Sequence, residues 1–299
     1  MAKSFFSAGY GPFRRFTGGD PDYEKQLALF PKLARHVSLF DERVALTESL
    51  AWLQELRFKV LERDQEAAAL LRRTTELVNE SNLLPHGVTL REVTSAGVLF
   101  TDEFGQQFAI DDLSDGYRSI LSLTFDIVRQ LAIAFGPEAV FDPERPGIVV
   151  APGIVLIDEI DVHLHPSWQR TVGQWFRSHF PRVQFIVTTH SPLACQAAEV
   201  GTVFRLPEPN NEHDSGRMLE GNERARLLYG NVLEAYGTEA FGDSITRSES
   251  SKLLVQRLAE LNQKELTSEL SDAERREQED LRAIFPTTAH LIRERDSPS

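Results

Sequence analysis

Leu46, Leu50, Leu53, Leu56 and Val60 recur every three or four residues, which lines one face of a helix. Asp64 stands where a side-chain oxygen can cap a second helix, and Leu70, Leu71, Leu77 and Val78 continue the apolar series. Two helices are therefore expected over 46–79, ending near Leu84 and Pro85, as a short arm or inserted lobe. Residues 88–110 change period. Short apolar runs flank Asp102-Glu103-Phe104-Gly105, a hairpin turn between β-strands. Over 117–135 the chain is apolar on most faces, the pattern of a buried helix.

Residues 153–158 (GIVLID) form a continuous apolar run that stops at acids, as expected of a central parallel strand buried on both faces. A helix pattern over 168–180 follows. A second buried strand is expected over 183–189 and a third over 202–206. Strand, helix and strand with short connections predict an α/β layer with parallel strands. The first 45 residues are punctuated by Gly9, Gly11, Pro12, Gly18, Gly19 and Pro21 and read as turns and loops. After Pro207 the chain turns polar. An amphipathic stretch spans 249–261, and Ser271 with Glu274 marks a capping box before a charged helix over 273–285.

Composition adds exclusions. Of 299 residues, 41% are apolar and 26% charged, an ordinary globular balance that rules out collagen, a mucin-like stalk or a wholly disordered chain. The net charge of −13 excludes a small, uniformly basic nucleic-acid binder but not a local basic groove. Arg14, Arg15, Lys25, Lys32 and Arg35 are the only candidate patch, and a solvated face is the plainer reading. A single cysteine, Cys195, excludes an internal disulfide or a multi-cysteine zinc site. No apolar run is long enough to span a membrane, and the first residues lack the apolar region of a secretory signal, so a cytoplasmic protein is expected.

Four stretches carry chemistry. Asp158 and Glu159 sit where a strand reaches the carboxyl edge of an α/β sheet, the usual place for ligands. Nucleotide hydrolysis needs one carboxylate for Mg²⁺ and another to orient and deprotonate water. Asp158 suits the first role and Glu159 the second; the plainer alternative is a strand ending in solvated acids. Leu113-Ser114-Asp115-Gly116-Tyr117-Arg118 precedes the buried helix and would present N–H groups and a positive dipole end to an anion, with Arg118 adding charge. The alternative is an ordinary N-cap and turn. His190, in Thr188-Thr189-His190-Ser191-Pro192, can reach a phosphate oxygen or the attacking water, or be just a polar strand end. Asp161, His163 and His165 have a spacing that suggests a metal, but no further ligand completes a cage.

In this order the four stretches resemble one family: the carboxyl-terminal lobe of an ABC-type ATPase head. More narrowly, they are similar to the bacterial AAA ATPases related to SMC, RecF and OLD proteins. The resemblance covers about 5–206 and is sharp over 112–192. It implies a P-loop NTPase-like α/β fold with a partial parallel sheet flanked by helices. A helical insertion (46–85) and a helical carboxyl-terminal extension (207–299) surround the lobe at 86–206, and 1–45 would be a remnant or linker of the first lobe. It implies ATP and Mg²⁺, with Asp158 of Walker B on the metal, Glu159 as catalytic base and His190 as switch histidine. Leu113, Ser114, Asp115, Gly116, Tyr117 and Arg118 fall in the signature region, where Ser114 and Gly116 would contact the γ-phosphate of ATP on the opposite head. Asp161 and His165 fall in the D-loop that crosses the head–head interface; His165 stands where the SMC pattern has Asp. Tyr10-Gly11-Pro12-x-Arg14 resembles a stretch following the first lobe.

The sequence departs from the family in one respect. It contains no Gly-x-x-x-x-Gly-Lys-[Ser/Thr], and no Lys follows the early glycines to clamp phosphates. The family places that motif in an upstream lobe, so this sequence reads as half a head, either a fragment or one served by a separate polypeptide. Alone it is expected to bind ATP poorly. The implied partners are a second head, a Walker A-bearing lobe, a nuclease and DNA, in repair or phage defence. Two other readings compete. A non-catalytic interaction module would dock through 249–261 and 273–285, but has no physical need for Glu159 and His190. A nuclease would use Asp158, Glu159 and Asp161 on Mg²⁺, but a second acidic cluster with a Lys is missing.

Overall fold

The computed structural model describes residues 5–12, 14, 20, 30–41, 46–81, 83–84, 87–207, 214–230, 235 and 249–285. The chain divides into two compact units, Met1–Val232 and Leu233–Ser299.

In the first unit, β1 (Ser7–Tyr10) is followed by α1 (Pro31–Val37), α2 (Thr47–Leu61) and α3 (Gln65–Asn79). The Asp64 carboxylate accepts from Ala67 N at 3.0 Å, the cap that the sequence predicts. Next come β2 (Thr89–Thr94), β3 (Gly97–Thr101) and β4 (Gln107–Ala109), an antiparallel sheet. The turn between β3 and β4 is held by Asp102 Oδ1, which accepts from the N–H groups of Phe104 and Gln106. Then α4 (Asp115–Phe135) runs through the core, burying Ile120, Leu121, Leu123, Phe125, Ile127, Val128 and Leu131.

The parallel sheet has the order β1, β5 (Gly153–Ile157), β6 (Val183–Val187), with α5 (Pro166–His179) as the crossover from β5 to β6. Tyr10 pairs with Ile157, and Ile157 with Val187, so Tyr10, Ile157 and Val187 share one face. The unit continues with α6 (Pro192–Cys195), β7 (Phe204–Arg205), β8 (Arg217–Met218) and α7 (Gly221–Tyr229).

Three expectations need correction. Part of the amino-terminal stretch that reads as loop is β1, hydrogen-bonded to β5. Its four residues, SAGY, are too few to give a period, and its partner lies far along the chain. Gly11 fits there because a Cβ would lie 2.0 Å from the Ser38 carbonyl oxygen. The strand expected over 202–206 shrinks to Phe204–Arg205 and pairs antiparallel with β8, outside the parallel sheet. Finally, β6 is not buried: only Val183 is, and Ile186 is 49% exposed. With β5 on one side and no strand on the other among the described residues, it is an edge.

In the second unit, α8 (Glu249–Thr267) and α9 (Asp272–Ile284) pack around Leu258, Leu261, Leu270 and Leu281. The Ser271–Glu274 capping box predicted from sequence is formed.

Candidate active site

At the carboxyl end of β5 the chain leaves the sheet through Asp158 and Glu159. Asp158 N still donates to Tyr10 O at 2.8 Å, extending the ladder by one residue. Glu159 then adopts φ 46°, a left-handed conformation that side chains other than glycine rarely take and that accumulates at functional sites. Its backbone is held at both ends. Its N–H donates to Thr188 Oγ1 at 2.8 Å, and its carbonyl accepts from Val162 N at 3.1 Å and Arg14 Nη2 at 2.9 Å. Its carboxylate makes no hydrogen bond or ion pair among the described residues.

The end of β6 supplies the matching groups. Thr188 Oγ1 donates to Asp158 Oδ1, and Thr189 Oγ1 donates to Asp161 Oδ1. Thr189 Oγ1 also accepts from Ser191 N at 2.9 Å, and Ser191 caps α6. His190 follows Thr189 on the same edge, exposed and without a hydrogen bond among the described residues. Burial, with Asp161 adding to it, pushes the neighbouring Cys195 thiol up to about 11, so it stays protonated at neutral pH.

Behind the acids lies Arg14, only 5% exposed. Its Nη1 donates to Gly11 O at 2.8 Å and Asp158 O at 2.7 Å, and its Nε reaches Ser119 Oγ on α4 at 3.4 Å. Burial pushes this guanidinium down to about 10, while Asp158, Asp161 and Glu159 pull it back up, so it remains charged at neutral pH. Sequence alone groups Arg14 with a surface patch; the structure puts it inside. Arg35 lies over the Phe6 ring at 5.3 Å and donates to Gln130, and Lys32 is exposed. Arg15 and Lys25 lie outside the described residues. Arg14 carries one sequence cue, the Tyr10-Gly11-Pro12-x-Arg14 stretch, but its burial depends on the unpredicted strand β1.

Residues 113–118, expected to form the signature, open α4. Leu113 is half-buried, and Ser114 is exposed at the N-cap with no side-chain capping bond, leaving its hydroxyl free to meet a ligand. Asp115 pairs with Arg118, so that cation is already engaged within the helix turn. Gly116 is buried against the loop between β5 and α5: a Cβ there would lie 2.6 Å from the His163 carbonyl oxygen. Tyr117 packs edge-on against Trp168 at 5.4 Å, and burial raises its hydroxyl above the ordinary value. A cavity of about 560 Å³ opens beside Leu113, Ser114 and Tyr117, bordered also by Gln106, Gln107 and Asp112.

His163 also has a left-handed backbone (φ 64°), and its side chain is exposed. His165 acts locally. Its Nδ1 accepts from Ser167 N at 3.3 Å and caps α5. So Asp158, Glu159 and Asp161 gather around Arg14, Thr188 and Thr189, and Gly116 packs the start of α4 on the backbone of the β5–α5 loop. Magnesium sites commonly use one or two carboxylates plus phosphate and water oxygens. Asp158, held through one oxygen by Thr188 and with the other unengaged, fits that donor set.

Comparison with known proteins gives the chain a family. A retron Vc95 probable ATPase from Vibrio cholerae serotype O1 biovar El Tor is 44% identical over 89 residues, covering 30% of this chain and 16% of that protein. A retron Ec83 probable ATPase from Escherichia coli is 38% identical over 108 residues, covering 36% of this chain and 19% of that protein. A Septu protein PtuA from Bacillus mycoides (strain KBAB4) is 41% identical over 106 residues, covering 36% and 13%. The match thus spans less than a fifth of each of these relatives. Among solved structures, the SMC head domain from Thermotoga maritima is 15% identical at TM-score 0.34, covering 56% of this chain and 52% of that one. No helix among the described residues is long and apolar enough to cross a membrane. Residues 18–195, well over half of the chain, match the family described as "AAA domain, putative AbiEii toxin, Type IV TA system", and the chain belongs to that AAA-domain family.

Proposed function

We propose that this chain forms the Walker B and signature portion of an ATP-hydrolysing head. The observation that carries the reading is Glu159: its backbone is pinned in a left-handed conformation, while its carboxylate is left free beside Asp158. A carboxylate with a fixed origin and no internal partner suits a general base. In the proposed step Glu159 takes a proton from water, the water oxygen bonds to the γ-phosphorus, and the bond to the bridging oxygen of ADP breaks. His190, exposed on the same edge, orients the water or a γ-phosphate oxygen. Asp158 is the residue that would hold Mg²⁺, which when bound neutralises charge building on the phosphate oxygens.

Ser114 and the amino terminus of α4 would meet the γ-phosphate of a nucleotide held by a second head, with Asp161 at the interface between them. No sequence of the form Gly-x-x-x-x-Gly-Lys-[Ser/Thr] occurs in these 299 residues. The phosphate clamp therefore comes from a further lobe, and we propose the partners accordingly: a Walker A-bearing lobe, a second head, and a nuclease in a phage-defence or repair assembly. Likeness to two retron probable ATPases supports the ATPase part of this reading. Its test is Mg²⁺-dependent ATP hydrolysis by the full chain, with and without an added Walker A-bearing lobe. Turnover that appears only with that lobe supports the proposal.

A further inference from the structure

Burying a guanidinium is costly unless its donors are satisfied, so four acceptors around one buried arginine call for a reason. Arg14 binds three carbonyls, those of Gly11, Asp158 and Glu159, and one hydroxyl, that of Ser119. These acceptors belong to three different elements: the end of β1, the turn after β5, and the second turn of α4. None is a carboxylate. The guanidinium thus fixes backbone, and the acids of Asp158, Glu159 and Asp161 act on it only at longer range, by charge. Two of the three carbonyls flank the left-handed residue Glu159, the one whose conformation most needs outside support.

We propose that Arg14 is a positioning residue: its planar fork sets the peptide on either side of Glu159 and ties it to α4, so that the base and the signature helix are held in one register. The inference rests on the hydrolysis reading for its consequence but not for its geometry. Lysine keeps the charge and loses the fork, since a single ammonium cannot span carbonyls in fixed directions. Charge alone and positioning are therefore separable in one variant.

The experiment compares the full wild-type chain with Arg14→Lys, and with Arg14→Gln as a second variant. Amide exchange is read first. In Arg14→Lys, exchange is expected to rise in segments 158–162 and 115–119 together and well above any rise elsewhere, with the melt lowered but still one cooperative transition. No rise, or an equal rise across the whole chain, overturns the proposal. Turnover is read second, in the assembly where the wild type hydrolyses ATP. There kcat is expected to fall at least about tenfold in both variants, with KM for ATP within about twofold. Wild-type kcat in Arg14→Lys, or a loss confined to KM, overturns it. If the wild type shows no turnover in any assembly, the hydrolysis reading fails by itself. The exchange pattern then decides the role of Arg14 alone.

Discussion

The Thr188 hydroxyl donates to Asp158 Oδ1 across the β5–β6 boundary, and the same oxygen accepts from the amide of Glu159. One side chain thereby orients the acid proposed to hold the metal and pins the residue proposed as base. Thr188→Val keeps the shape and removes both bonds. Turnover is expected to fall about tenfold or more, as a mispositioned base loses rate. The melting experiment should show a loss of only about 1 kcal/mol, since the site is exposed. Unchanged turnover would mean that Arg14 and the ladder suffice to hold the turn.

Gly116 lies where the start of α4 meets the loop between β5 and α5, and an added Cβ would stand 2.6 Å from the His163 carbonyl oxygen. Backbone cannot move aside as a flexible side chain can. Gly116→Ala is therefore expected to cost about 1–3 kcal/mol in urea unfolding. A neutral result would show that the β5–α5 loop shifts freely, contrary to the fixed contact described.

Tyr10 OH donates to Asp126 Oδ2 at 3.0 Å in the core, and Arg129 reaches from Asp126 to Glu48 on α2. Burial first, then the Asp126 charge, holds the Tyr10 hydroxyl well above its ordinary value. Tyr10→Phe leaves a buried carboxylate oxygen without its donor. A destabilisation of about 1–3 kcal/mol in urea unfolding is expected. A change below a few tenths would show that the bond carries little of the β1–α4 contact.

In the second unit, Lys264 and then the Ser271 amide and hydroxyl lower the Glu274 carboxyl from 4.5 to about 2. The folded form binds this proton more weakly than the unfolded chain. The stabilisation is therefore complete above about pH 4.5 and is lost as pH falls through 2. An NMR titration of the Glu274 carboxyl carbon reads the midpoint directly, and Ser271→Ala should move it upward. A midpoint near 4.5 in the wild type would contradict the capping geometry.

Elements with a long period are legible from sequence alone. The helices after Leu46 and Asp64, the apolar helix through Phe125 and the GIVLID strand all lie where their patterns put them. What escapes depends on pairing rather than period. Ser7–Tyr10 becomes a strand only because β5 lies beside it, and Phe204–Arg205 turns to β8 instead of joining the parallel sheet. The site follows the same division. Asp158 and Glu159 stand at a strand end that the apolar run announces. The burial of Arg14, the packing of Gly116 on His163 and the capping by His165 need three-dimensional neighbours that no local pattern encodes.

Everything proposed for this site turns on Glu159 as the base of an ATP-hydrolysing head completed from outside these residues. It is probed most directly by Mg²⁺-dependent ATP hydrolysis of the full chain with a Walker A-bearing lobe, comparing wild type with Glu159→Gln. Turnover is expected to fall about a hundredfold or more in the variant while nucleotide binding by the assembly is kept. Turnover that survives Glu159→Gln would remove Glu159 from the role of base.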